Sequence, residues 1–187
     1  MAEVRLIVPS LDALAQYVDA LERGWSPDNL QGRKTADAQL ARIAEDPDGF
    51  IAAQDDPEGT GPPVSLPDGS QVQRLPGFYR WIWDGAFSGT VGFRWAPDGA
   101  DLPPHVLGHI GYGVVPWKQR RGYATRALAL LLPQVRALGL SWVELTTTPD
   151  NVASQRTIVA NGGVLIEAFV KADAYGGGEA LRYRITL

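Results

Sequence analysis

Apolar and polar positions change period several times along this chain, and each change marks an element. Val4 to Val8 reads as a first strand closed by Pro9, after which Leu11, Leu14, Val18 and Leu21 recur at helical spacing behind a capping Ser10 and end at Gly24. Trp25 to Lys34 carries no period, and Thr35 is placed to cap a second helix through Leu40 and Ile43 that Asp46-Pro47 stops. Phe50 to Ala53 predicts a short apolar strand. Asp55 to Gly77, rich in proline, glycine and aspartate, predicts a long connection, either a substrate lid or a decoration. Phe78 to Trp83 and Ala86 to Trp95 alternate as strands around Asp84-Gly85, a pair suited to a tight hairpin turn.

The second half has the same clarity. Ala96 to Pro104 is a proline-rich turn, and Ile110 to Val115 is a β-branched and aromatic strand ended by Pro116, with Gly111 and Gly113 suggesting a bulge or a close backbone approach. From Ala124 the positions Ala124, Leu128, Leu131, Val135 and Leu138 form a helical stripe up to Gly139, and Pro133 within it should kink or split the helix near Leu132. Ser141 to Thr147 predicts a strand, Val152 to Ala160 a short helix stopped by Gly162-Gly163, and Val164 to Val170 another strand. After a flexible Tyr175-Gly176-Gly177-Gly178 stretch, Leu181, Tyr183, Ile185 and Leu187 alternate with polar residues as a closing half-buried strand. The pattern predicts one α+β (mixed α/β) domain over residues 1–187, with a central, mixed, mostly antiparallel twisted sheet flanked by helices.

Composition narrows the partners. With 187 residues the chain can bury a core without staples, and its net charge of −4 and pI of about 5.1 argue against general nucleic-acid binding. The cluster Lys118, Arg120 and Arg121 is therefore a local feature. The absence of cysteine removes disulfides, thiolate metal sites and a cysteine nucleophile, and two histidines make a histidine-rich metal site implausible, so no metal is expected. The apolar run at the N-terminus is too short for a signal peptide and no segment reaches membrane-spanning length, so a cytoplasmic protein with no membrane partner is expected.

The candidate chemistry sits where the central strand meets its helix. Gly122 lies at a helix N-terminus, whose unpaired N–H groups and dipole attract phosphate oxygens. A dinucleotide fingerprint fails because Gly111-x-Gly113 runs into Pro116, and no Gly-Lys-Ser/Thr is present for a nucleotide P-loop. The hexapeptide Gln119, Arg120, Arg121, Gly122, Tyr123, Ala124, with Val114-Val115-Pro116 ahead of it, resembles the acyl-CoA loop of the GNAT superfamily of N-acetyltransferases. A second match follows. Asn151, placed to cap a short helix, is followed by Ser154 and Gly162 at the spacing that family has after its fifth strand. The Gly-His-Ile-Gly-Tyr lead-in and the Asn-Gly-Gly ending are most similar to a bacterial branch of predicted acetyltransferases, which implies no acceptor.

The resemblance implies a GNAT-type acyl-CoA N-acyltransferase fold with acetyl-CoA as co-substrate. It implies phosphate contacts from Gln119, Arg120, Arg121, Gly122, Tyr123, Ala124 and Thr125, pantetheine pairing along Val114 and Val115, and an Asn151 side-chain bond to the pantetheine arm. Ser154 goes to the thiol end, and a backbone N–H near Val114 would serve the oxyanion. One departure stands out, because many members carry a tyrosine acid where this chain has Ile158. Coenzyme A is a fair leaving group, a thiol titrating near ~8.5, so Ser154 or water could take over. His109 has a suitable intrinsic pKa for the base, a water-relayed backbone carbonyl is the alternative, and Glu144 reads as a surface charge. The acceptor, a small-molecule or peptide amine, is not legible. Trp81, Trp83, Trp95 and Trp117 could shape an apolar pocket for it, although alternating strand aromatics, like Trp25 between helices, usually serve the core. A non-catalytic acyl-CoA-binding sensor of the same fold is the rival reading, and a homodimer could form through an edge strand.

Overall fold

The computed structural model describes residues 3–66, 69–97, 99, 101–173 and 176–187. Tyr175 of the expected flexible stretch, and Pro67, Asp68, Asp98 and Ala100 of the two proline-rich segments, lie outside the described residues. No helix among the described residues is long and apolar enough to cross a membrane.

β1 (Arg5–Ile7) leads into α1 (Leu11–Glu22), whose buried face is Ala13, Leu14, Tyr17, Ala20 and Leu21. The stripe is thus centred on Tyr17, while Leu11 is exposed and Ser10 makes no side-chain cap. Trp25 N–H to the Ala20 carbonyl and Gly24 N–H to that of Leu21 close the helix. α2 (Arg33–Glu45) begins after Gly32, two residues before the expected cap, and Thr35 turns its hydroxyl to Asp28 instead. The strand expected at Phe50 to Ala53 is a helix, α3 (Pro47–Ala52). The physical reason is local: Asp46 Oδ1 accepts the Gly49 N–H at 2.9 Å and Pro47 occupies the first helical position, a start signal that a four-residue apolar run cannot override.

The long connection also holds more order than expected. β2 (Asp55–Asp56) pairs antiparallel with the strand that begins at Gly77, β3 (Val64–Ser65) and β4 (Gln71–Val72) form a small hairpin, and Asp56 accepts N–H bonds from Thr60 and Gly61. β5 (Gly77–Trp83), β6 (Phe87–Arg94) and β7 (Ile110–Val114) then complete a sheet of order β1-β5-β6-β7. No bulge falls at Gly111 or Gly113. The register shift lies between Ile82 and Trp83, and the close approach is made from the other side by Gly89, at φ +143 with the Gly113 carbonyl oxygen 2.1 Å from where a Cβ would sit.

A 3₁₀ turn (Pro116–Lys118) leads to α4 (Tyr123–Arg136), which runs unsplit through Pro133, against the sequence expectation. That proline stands in the last turn of the helix, where the lost N–H bond is a single one and the Ala137 N–H still reaches its carbonyl. β8 (Trp142–Thr147), α5 (Val152–Val159), β9 (Val164–Val170) and β10 (Glu179–Thr186) follow, the three strands forming a second sheet of order β8-β10-β9. α5 ends on Gly162 N–H to Val159 and Gly163 N–H to Ile158 bonds. β9 is an open edge, with Val164 and Val170 exposed.

Every ladder among the described residues is antiparallel. The core has two layers. Ile82, Val91, Phe93, Leu128, Leu131, Val143, Leu145 and Ile158 pack between the sheets and α4 and α5. Tyr17, Trp25, Phe50, Trp81 and Phe87 pack between the first sheet and α1 to α3, with Tyr17 stacked on Trp81 at 4.9 Å. The two sheets part between β7 and β8.

Candidate active site

β7, α4 and β8 form a strand–helix–strand crossover, the connection that lays two strands side by side in one direction. These strands touch only at their base. His109 N–H donates to the Glu144 carbonyl at 2.8 Å and Glu144 N–H donates to His109 Nδ1 at 3.0 Å, and no ladder continues between Ile110–Val114 and Leu145–Thr147 among the described residues. The result is a wedge that opens toward the C-terminal ends of both strands. On its β7 side, the His109 carbonyl and the Val115 N–H bond to β6, so strand alternation leaves the N–H and C=O groups of Ile110, Tyr112 and Val114 on the free edge.

This geometry separates the two edge residues named from the sequence. Val114 presents its N–H to the wedge, and its carbonyl is held by Gln119 Nε2 at 3.2 Å. Val115 does not: it is fully buried, its N–H is committed to Ser88 and its carbonyl to Lys118 N–H, so it has no group left to pair with a ligand. The pairing edge ends at Val114.

Beyond the edge the chain turns through Gln119, Arg120 and Arg121 into α4. Arg120 sits at φ +60 and Gly122 at φ +78, both in the left-handed region with Arg121 between them, which curls the loop ahead of the helix. The Arg126 N–H bonds the Gly122 carbonyl, so those of Tyr123, Ala124 and Thr125 precede the helical ladder and have no intrahelical acceptor. Arg120 and Arg121 are exposed and form no ion pair among the described residues, which leaves positive charge beside the free N–H groups of a helix N-terminus, a setting suited to an anion.

Lys118 is not part of that charge. Its Nζ lies 2.6 Å from Asp84 Oδ1 and 3.0 Å from Ser88 Oγ, and Tyr123 OH donates to Asp84 Oδ2 at 2.5 Å. Asp84 therefore clamps both ends of the loop to the β5–β6 turn, a role invisible in its sequence context of a hairpin Asp-Gly. Partial burial alone would raise its pKa, but the bonds from Lys118, Tyr123 and the Ala86 N–H outweigh it and hold the carboxyl at about 2, below 3.8. A depressed carboxylate contributes stability above its unfolded pKa and loses it as pH falls through the folded one. Asp84→Asn is accordingly expected to cost about 2 kcal/mol near neutral pH. The difference from wild type should close between pH 4 and pH 2, read by urea unfolding at each pH; a gap that persisted at pH 2 would show that the clamp does not work through this charge.

Across the wedge, Asn151 caps α5 as expected, its Oδ1 accepting the Ser154 N–H at 3.1 Å, which leaves its amide N–H groups for another partner. Ser154 is half-buried and lies in the first turn. Asn161 ties the two helices together, Nδ2 donating to the carbonyls of Thr125 and Thr157. Ile158 is fully buried in the core and does not face the wedge.

The expected base is placed elsewhere. His109 is completely buried, with Nδ1 accepting a backbone N–H and its ring stacked 6.5 Å from Phe93 and edge-on to Trp142, so it staples the base of the wedge and does not reach an acceptor amine. Glu144 is no surface charge either. It is mostly enclosed between Arg184, at 2.7 Å, and Arg182, at 3.6 Å. Trp81 and Trp83 are core residues, Trp95 stacks on Phe93, and Trp117 lies under the Arg23 guanidinium, so they do not converge on one pocket. Trp25 comes nearer. It is buried, yet its indole edge lies 3.8 Å from where a Gly113 Cβ would stand, directly behind the free edge. No group of three His, Cys, Asp or Glu residues able to hold a metal occurs among the described residues.

The family model described as acetyltransferase (GNAT) domain matches residues 36–164, well over half of the chain. A search of curated protein sequences finds no match. Among solved structures, the ribosomal L7/L12 α-N-protein acetyltransferase in complex with coenzyme A is similar at a TM-score of 0.63 and 12% identity, over 98% of this chain and 94% of that one. The aminoglycoside acetyltransferase AAC(6′)-Ib in complex with coenzyme A gives 0.61 and 15%, over 98% and 95%. The ribosomal-protein-S5-alanine acetyltransferase from Vibrio fischeri gives 0.57 and 19%, over 98% and 91%. At such identities the likeness to these structures is one of fold.

Proposed function

The chain belongs to the GNAT acetyltransferase family, and from that premise we propose that it is an acetyl-CoA-dependent N-acetyltransferase acting on a primary amine. One observation carries the reading: a strand edge at Ile110 to Val114, unpaired among the described residues, leads into a helix N-terminus at Gly122 with free N–H groups, and Asn151 and Ser154 lie across the wedge from it.

In this reading the pyrophosphate lies on the N–H groups of Tyr123, Ala124 and Thr125 with Arg120 and Arg121 beside it, while Gln119 braces the loop against Val114. The pantetheine arm takes the place of a missing strand between β7 and β8, bonding the Val114 edge on one side and the Asn151 amide on the other. The Val114 N–H is then the donor nearest the thioester carbonyl and stabilises the oxyanion. The amine nitrogen attacks that carbonyl carbon, the C–S bond breaks with its electron pair on sulfur, and the proton lost from nitrogen ends on the thiolate. Ser154 is the hydroxyl at the sulfur. The solved structures of similar fold act on ribosomal proteins and an aminoglycoside, which supports an amine acceptor as a class without choosing one.

Calorimetric titration with acetyl-CoA, coenzyme A and ATP tests the site. Both coenzymes should bind and ATP, which lacks the pantetheine arm, should bind far more weakly; equal binding of all three would sink the strand-edge reading. Thiol release from acetyl-CoA with excess ethanolamine then tests catalysis, and binding without release would establish the sensor reading, which the buried Ile158 at the usual acid position favours. Ser154→Ala is expected to lower kcat about tenfold with unchanged coenzyme affinity. Full kcat in that variant would remove Ser154 from the chemistry.

A further inference from the structure

Tyr112 belongs to β7, yet its hydroxyl crosses to α5, 2.8 Å from Ser154 Oγ and 3.4 Å from the Ser154 carbonyl oxygen. The ring is half-buried among the residues that pack on α4 and α5, and the Thr157 hydroxyl, itself bonded to Thr125, also bears on it. The geometry admits either hydroxyl of this pair as the donor, and a phenol, which titrates near ~10, is a much stronger acid than an aliphatic alcohol and so the better donor of the two. Burial raises the Tyr112 pKa against the smaller opposing effects of Ser154 and Thr157, so it stays protonated, and no charged side chain contributes. The helix position that usually supplies a phenol here is the buried Ile158, and the phenol comes from the opposite wall.

We propose that Tyr112 is a positioning residue for acetyl transfer: its hydroxyl donates to Ser154 Oγ, fixes that side chain, and leaves the Ser154 hydroxyl hydrogen aimed into the wedge at the departing sulfur. The proposal rests on the reading that acetyl-CoA occupies the wedge with its sulfur at Ser154. As the C–S bond breaks, the electron pair stays on sulfur and the Ser154 O–H donates a hydrogen bond to it. Tyr112 is not consumed. A hydroxyl kept only for packing would be satisfied by the Ser154 carbonyl and dispensable, which separates the two roles experimentally.

The test is thiol release from acetyl-CoA with excess ethanolamine, alongside coenzyme A titration and thermal unfolding. Tyr112→Phe should lower kcat about tenfold with KM for acetyl-CoA, coenzyme affinity and Tm unchanged, matching Ser154→Ala, and the double variant should be no slower than Ser154→Ala alone. If Ser154→Ala is slowed and Tyr112→Phe keeps kcat within twofold, or changes only KM or Tm, the positioning role is overturned while the site reading stands. If Ser154→Ala is as fast as wild type, or acetyl-CoA does not bind, the site reading itself falls. Should Tyr112→Phe not fold, 3-fluorotyrosine at position 112 keeps the ring and lowers the phenol pKa. The alkaline limb of kcat should then move to lower pH, and an unmoved limb overturns the proposal.

Discussion

Replacing Gly122 by glutamate is expected to weaken acetyl-CoA binding by about a hundredfold or more, some 3 kcal/mol, while the protein still folds. Gly122 is exposed, at φ +78, and a Cβ there meets nothing within 4 Å, so no neighbour has to move. The cost to the fold is the left-handed conformation alone, about 1–2 kcal/mol for a residue with a Cβ. The cost to binding is much larger, because the new carboxylate stands at the helix N-terminus beside the free N–H groups of Tyr123 to Thr125, and both repels the phosphates and satisfies their donors. Gly122→Ala separates the effects, since it carries the strain without the charge and should lose only a few-fold in affinity. Titration of both variants decides the matter. Binding retained in the glutamate variant would mean that the phosphates lie elsewhere.

Gly89→Ala is expected to destabilise the protein by about 3 kcal/mol, lowering Tm by roughly 6–12 °C for a chain of this size. Its added methyl would lie 2.1 Å from the Gly113 carbonyl oxygen and 2.8 Å from the Val114 Cα, both backbone atoms of β7 that no rotamer change can clear. Because the strand displaced is the one whose free edge faces the wedge, coenzyme affinity should fall with stability. The pairing of the two losses, measured by thermal unfolding and titration, is the signature. An unchanged Tm would show that β6 and β7 are not held at this separation. Gly92, on the same strand, is a useful contrast, since a methyl there meets the Tyr79 ring, a side chain that can turn aside.

Much of this was legible in the residues themselves. The period-two runs of β5 and β6, the Asp-Gly turn between them, the strand–loop–helix at Ile110 to Val135 and the Asn151 cap are all local patterns, and local hydrogen bonding and side-chain alternation decide them. The two motifs that carry the family resemblance are of the same kind, for a curled loop before a helix needs its left-handed residues within a few positions of one another in the chain. Where sequence reading missed, a nearby start signal competed with a weak pattern, as Asp46-Pro47 did with the apolar run from Phe50 to Ala53.

What tertiary structure alone decided is which of the named residues meet. Val114 and Val115 are neighbours of one type, yet the ladder to β6 gives one an open N–H and the other none. His109 has the side-chain type of a base, but at the foot of the splayed strands it is buried and its Nδ1 accepts the Glu144 N–H. Asp84, Tyr112 and Asn161 lie 39, 42 and 36 positions from Tyr123, Ser154 and Thr125, the groups they hold. No periodicity reports a contact at that separation. The sequence by itself determined the elements and the loop that can hold a phosphate, because those depend on short-range geometry; the wedge, its free edge and the hydroxyl pair across it exist only because two sheets part between β7 and β8, and that parting is set by packing among residues far apart in the chain.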